Sequence, residues 1–430
     1  YEALIDSVRW DIKDFMNWIG SDHPRTKYKN LLQQYEADLS IVPKFTQNMV
    51  YYPTNKIRVP VNKKNVIASG LVKEKDADLI LDFIDIDLPE SGLYKNQLLM
   101  LDILANNDWK RPIYFSGGSY EDAEYLWMKN YLQLDGLVYK LVPIKNEVNK
   151  NNPYELGRID SSTMYRIVKG WEWGNSESND IYHDPETRKN SISFRGNLHR
   201  LALQLMKDGK NNKAEEILDL SMEKMPIDYF GFYSLIEPYI SSYYKLGSFK
   251  KGNDLFKTLS KKYQENLTYY SQMSKSKNEK FSIYTYAENI ITDTERYRTL
   301  VESLLGSNDN NIKSEGIQNF INSTEYVKDL YGNYEYYTLM IPFLEELYIS
   351  NENNLAKELY VNISEQLKER LEILISMPKE NRITYAQNIS NDIYQFSSIV
   401  NVLKNYEKNK DLITSELNTF LNLRLKLNIK

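Results

Sequence analysis

The feature that most constrains this chain is a change in hydrophobic period part-way along it. Before about residue 165, strand-like alternation and helix-like spacing take turns; from about residue 190 to the end, every periodic segment is helical. The first helix carries Leu4, Val8, Ile12, Phe15 and Ile19 on one face and stops at Gly20. In "KIRVPV" (56–61), Ile57, Val59 and Val61 alternate with polar residues, which predicts a half-buried strand, and Pro60 favours an edge position. "LILDFIDIDLP" (79–89) repeats the alternation, with Ile84, Ile86 and Leu88 opposing Asp85 and Asp87. A helix over 93–106, the strand "RPIYF" (111–115), a helix over 120–133 and the strand "LVYKLVP" (137–143) follow. Strands alternating with helices imply a layered α/β domain. The expectation is α+β overall: a small α/β domain (1–165), a Trp-rich connector (166–190) and an all-α helical-repeat domain (191–430). A chain of 430 residues exceeds what one core organises, so several domains are expected in any case.

Within the helical region a spacing recurs. "DGKNNKAEEILDLSMEKMP" (208–226) sets Gly209 five residues before Ala214, then Ser221 and Pro226. "LGSFKKGNDLFKTLSKKY" (246–263) sets Gly247 five before Gly252, with Leu259 at the place of Ser221. "SNENNLAKELYVNI" (350–363), with Asn351 and Ala356, is a weaker copy. The spacing resembles the tetratricopeptide repeat, in which a Gly closes one helix and small residues let the next pack closely.

Charge and composition exclude several classes. Against 59 acidic residues stand 54 Lys and Arg, with no basic stripe, so nucleic acid is not an expected partner. The longest apolar run, "LLMLDILA" (98–105), is broken by Asp102 and is too short to span a bilayer. The chain starts at Tyr1 inside an amphipathic pattern, without Met or a signal peptide, as expected of a piece of something longer. With no cysteine there is neither a disulfide nor a thiolate site. There is no GxxxxGK[ST] or GxGxxG loop and no GxSxG elbow, and His23, His183 and His199 are the only histidines. His183, Asp184 and Glu186 fit no established metal spacing. No catalytic residue, metal or cofactor is therefore assigned.

Two features read as scaffold. The Gly-Gly-Ser turn (117–119) opens a helix whose Glu121, Asp122 and Glu124 would repel a phosphate, so Ser119 reads as a cap. Asp102, inside an apolar helix, needs a partner if buried, and Arg111 is the candidate. Aromatic residues are the one hint of a ligand surface. Trp109, Tyr114, Trp127, Tyr131 and Tyr139 cluster along the chain, and "GWEWGN" (170–175) adds Trp171 and Trp173. Core packing is their ordinary use, yet such faces also suit a glycan or peptide groove. The candidate ligand or acceptor contacts are Trp109, Arg111, Trp127, Tyr131, Trp171 and Trp173.

Several long strings carry a family resemblance: "SDHPRTK", "YYPTNKIRVPV", "NQLLMLDILANNDWKRPIYFSGG", "EYLWMKNYLQLDGLVYKLVP", "NPYELGRID" and "WEWGNSESNDIYHDPETRKNS". They resemble the extramembrane C-terminal part of a bacterial membrane-protein family, domain of unknown function 2723, densely up to about residue 230. The resemblance implies a parent with transmembrane helices before Tyr1, similar to GT-C type glycosyltransferases that use a lipid-phosphate sugar donor at the non-cytoplasmic face. An animal relative resembles a protein O-mannosyltransferase with tetratricopeptide-like repeats. The essential acid of such enzymes lies on an early loop outside these 430 residues, so no catalytic residue carries over. The expectation is a catalytically silent domain at the periplasmic face of the inner membrane, whose partners are an acceptor protein or peptide and its own transmembrane segment. The alternatives are a scaffold that uses its helical repeats for protein–protein interaction, without sugar chemistry, and a glycan hydrolase with two carboxylates in a Trp-ringed cleft.

Overall fold

A computed structural model describes residues 8–21, 23–50, 54–89, 92–116, 127–148, 155–275, 283–331 and 333–427. The chain divides into two compact units, Tyr1–Phe230 and Gly231–Lys430.

The first unit holds two small sheets. In one, β1 (Trp10–Asp11) runs parallel to β2 (Lys56–Pro60), and β2 runs antiparallel to β3 (Phe83–Asp87). The register sets Ile57 opposite Ile86 and Val59 opposite Ile84, and all four side chains are buried. On the other face Arg58 meets Asp85 at 2.8 Å. The alternation seen in sequence is thus a half-buried sheet, but β2 is its centre and not its edge. Pro60 is tolerated because it is the last residue of the strand, where a missing N–H costs little.

Helix Ile12–Gly20 begins at Asp11, whose side chain accepts the Lys13 N–H at 2.8 Å, and it buries Ile12 and Phe15. The periodicity from Leu4 places the start too early: Val8 is exposed and Trp10–Asp11 is strand, while Leu4 lies outside the described residues. Helix Lys95–Asn107 buries Leu101, Leu104 and Ala105. Asp102 is exposed on its outer face and bonded by Asn106 at 3.0 Å, so the condition of burial under which it would need Arg111 as a partner is not met. A helix with one solvated face has no need of a buried partner there.

The second sheet is antiparallel, in the order β4 (Tyr114–Phe115), β6 (Val138–Leu141), β5 (Leu132–Asp135). The predicted helix over 120–133 is corrected at its end, because Lys129–Tyr131 form one 3-10 turn and Leu132 enters β5. Strand pairing with β6 there overrides the helical spacing. The Gly-Gly-Ser turn and its acids lie outside the described residues. Every residue of β5 is buried, and Asp135 meets Lys140 at 2.9 Å inside the fold. Helices Ser161–Lys169, Pro185–Lys207 and Asn211–Lys224 complete this unit, so the first repeat copy belongs to it.

In the second unit long helices pack on their neighbours and mostly on their second neighbours, from Phe249–Lys275 to Lys410–Leu427. The copies at Gly247 and Asn351 each reverse the chain in the left-handed region, φ 79° and 61°. Gly252 sits against the Tyr244 ring, where a Cβ would collide, so the close approach needs a glycine.

Candidate functional site

The Trp-rich connector is held in place by the helices on either side of it. Helix Ser161–Lys169 starts at Asp160, whose carboxylate accepts the Thr163 N–H at 2.7 Å and the Lys73 ammonium at 2.8 Å. Burial alone would raise the Asp160 pKa, but these bonds outweigh it and hold the carboxyl well below the usual range. The helix stops at Gly170, and Trp171 and Trp173 follow with ring centroids 5.6 Å apart, both edge-on or tilted against Phe194 at 5.3 and 5.6 Å. Beneath Trp171 lies the β5–β6 turn: Gly136 has φ 72°, and Asn197 of the next helix donates to its carbonyl at 3.0 Å.

The opposite wall comes from further along the chain. Helix Pro185–Lys207 is capped by Asp184, which accepts from the Glu186 and Thr187 N–H groups. His183 packs on Tyr229 and Phe230, with centroids 5.5 and 5.4 Å away, and its backbone N–H donates to the Tyr229 hydroxyl at 2.8 Å. Arg195 is fully buried and donates to the Met225 carbonyl at 2.7 Å, fixing the end of helix Asn211–Lys224. Between these walls runs a groove of about 390 Å³, lined by Trp171, Trp173, Phe194, Met225 and Phe230, with the polar side chains of Ser176, His183, Thr187, Asn190 and Ser191 among them.

Of the six residues singled out from sequence, the structure brings Trp171 and Trp173 together here. The other four are elsewhere in the unit. Trp109 is 4% exposed and donates its indole N–H to the Pro60 carbonyl at 2.7 Å. Tyr131 is buried, its hydroxyl accepting the Asp85 N–H, and Trp127 packs half-buried on the same core. Arg111 is exposed, and its backbone is clasped by the Asn107 side chain at 2.7 and 3.2 Å. Phe194, Met225, Phe230 and His183 were missed as groove residues because each reads locally as helix face or turn. Their convergence depends on the packing of distant segments.

The groove suits binding. Aromatic faces offer stacking, and hydroxyls, an amide and an imidazole offer hydrogen bonds at its margin. Glu172 is the single carboxylate among its lining residues, so the paired acids expected of a glycan hydrolase are not assembled here. Among the described residues no three His, Asp or Glu side chains gather as a metal site, and Asp184 serves as a helix cap. No helix among the described residues is long and apolar enough to cross a membrane.

No curated protein and no solved structure matches the chain. Residues 2–163 match the family model described as TMEM260-associated domain 2, so this part of the chain, carrying both sheets, is similar to a membrane-protein-associated domain.

Proposed function

We propose that this chain is the non-catalytic periplasmic part of a polytopic GT-C type membrane glycosyltransferase, of the kind met in domain of unknown function 2723, and that its groove holds a segment of acceptor protein. The observation that carries this is the groove itself: two Trp and two Phe rings line it together with the hydrogen-bonding side chains of Ser176, His183, Thr187, Asn190 and Ser191 and one carboxylate, Glu172. Such a surface suits a chain of mixed polarity, which can stack on the rings and hydrogen-bond at the margin. The match of residues 2–163 to a membrane-protein-associated domain supports a location beside a membrane-embedded partner. The helical hairpins, read as tetratricopeptide-like repeats, would extend the surface available to an acceptor.

The test uses the full-length protein in its native membranes, comparing Trp171→Ala/Trp173→Ala with the unaltered protein for glycosylation of the acceptor. Loss of uniform binding raises the acceptor KM by about 10-fold or more while kcat stays near its original value. An unchanged KM, or a fall in kcat alone, would overturn the reading.

A further inference from the structure

We infer that the excursion between residues 27 and 50 is a membrane-surface element that seats its apolar tip in the interfacial layer of an anionic bilayer. The excursion leaves the core after Ile19 and rejoins it at Ile57, and none of its own apolar residues enters the hydrophobic core of the first unit. Helix Tyr28–Gln34 and the helical turn Lys44–Gln47 have no buried residue. Ile41 is 79% exposed, Phe45 74% and Tyr35 64%, with Met49 and Val50 exposed beside them.

The excursion is nevertheless a built loop. Lys27 and Val50 form a bridge at its base, where the Tyr28 N–H donates to the Met49 carbonyl at 3.0 Å. The Gln47 amide staples its interior by donating to the carbonyls of Leu39 and Val42 at 2.9 and 2.8 Å. Backbone groups satisfied within the loop lower the cost of moving its tip out of water.

The charge pattern selects the occupant. In a chain of net charge −5, residues 27–50 carry three lysines, Lys27, Lys29 and Lys44, against two carboxylates, Glu36 and Asp38; Asp38 accepts the Ser40 N–H at 2.8 Å, and from Leu39 to Val50 the one charged side chain is Lys44. Exposed aliphatic and aromatic tips with lysines beside them and Tyr28 and Tyr35 nearby match the interfacial layer of a bilayer with anionic headgroups. The segment also lies within residues 2–163, the part similar to a membrane-protein-associated domain. This inference does not depend on the groove.

The whole chain is floated with vesicles of phosphatidylcholine alone and of phosphatidylcholine containing phosphatidylglycerol. Binding to the anionic vesicles is expected, falling by about 10-fold or more in Ile41→Asp/Phe45→Asp with an unchanged melting curve. In Lys29→Gln/Lys44→Gln the loss is confined to the anionic vesicles. Leu99→Asp/Ile103→Asp, which alters apolar residues exposed on the separate helix Lys95–Asn107, should float as the unaltered chain does. The inference is overturned if no vesicle recruits the chain, if the two Asp pairs weaken flotation equally, or if the tip instead drives a dimer that Ile41→Asp/Phe45→Asp dissolves. Acceptor KM in the full-length protein is a separate readout, so a failure here leaves the groove reading standing.

Discussion

Gly136 lies so close to Trp171 that a Cβ on it would stand 2.9 Å from Cζ2 of the indole. Its φ of 72° also belongs to the left-handed region. Gly136→Ala therefore meets a backbone penalty and an overpacking penalty together, about 2–5 kcal/mol in sum. All six Trp residues lie in the first unit, so Trp fluorescence during urea unfolding reports that unit alone. A midpoint within error of the unaltered chain would show that the turn does not brace the groove.

Asp135 and Lys140 are both buried, and Gln133 donates to the same Asp135 carboxylate at 2.9 Å. Removing the cation leaves a carboxylate without its charge partner inside the fold, a loss of about 3–5 kcal/mol for Lys140→Met. Asp135→Asn in the same chain should restore a large part of the loss, because no bare charge remains. Additive losses in the double-mutant cycle would argue against coupling.

Trp109 serves the core, so altering it separates stability from recognition. Trp109→Phe removes the indole donor from the Pro60 carbonyl and costs about 1–3 kcal/mol, while acceptor KM stays unchanged. Trp171→Ala should do the reverse, with a small stability change and a weakened acceptor interaction. A raised KM in Trp109→Phe would assign that Trp a recognition role.

In the second unit Glu237 is bonded by the Tyr263 hydroxyl, and burial pushes its carboxyl up from 4.5 to about 7, with Asp293 adding to the rise and Arg296 and the Tyr263 bond opposing it. The folded state thus holds a proton that the unfolded chain has released. This contribution to stability is complete below the unfolded pKa of 4.5 and is lost as pH rises through about 7. Glu237→Gln should match the unaltered protein in acid and exceed it above neutrality by about 3 kcal/mol, read by far-UV circular dichroism of the helices. Parallel pH–stability curves for the two proteins would exclude the titration.

Much of the fold was legible because period follows burial. Ile57, Val59, Ile84 and Ile86 alternate in the sequence and line one face of a sheet, and Leu101, Leu104 and Ala105 share one side of a helix. What resisted reading depends on contacts between distant segments. Leu132 and Gln133 continue a helical spacing, yet pairing with β6 makes them strand. Trp109 and Trp171 are alike as letters, and their roles diverge because one faces the Pro60 carbonyl within the core while the other leans on a glycine turn at the wall of a groove. The sequence marked half of the groove's Trp and Phe wall, since Phe194 and Phe230 arrive from beyond the connector.

The family match ends at residue 163, inside helix Ser161–Lys169, and this sets a seam through the groove. Leu137 precedes the seam, whereas Trp171, Trp173, Phe194, Met225 and Phe230 all follow it. The sheets and the aromatic lining are therefore written in successive stretches of the gene, so substitutions in the later stretch alter the groove wall while the sheets before it keep their residues.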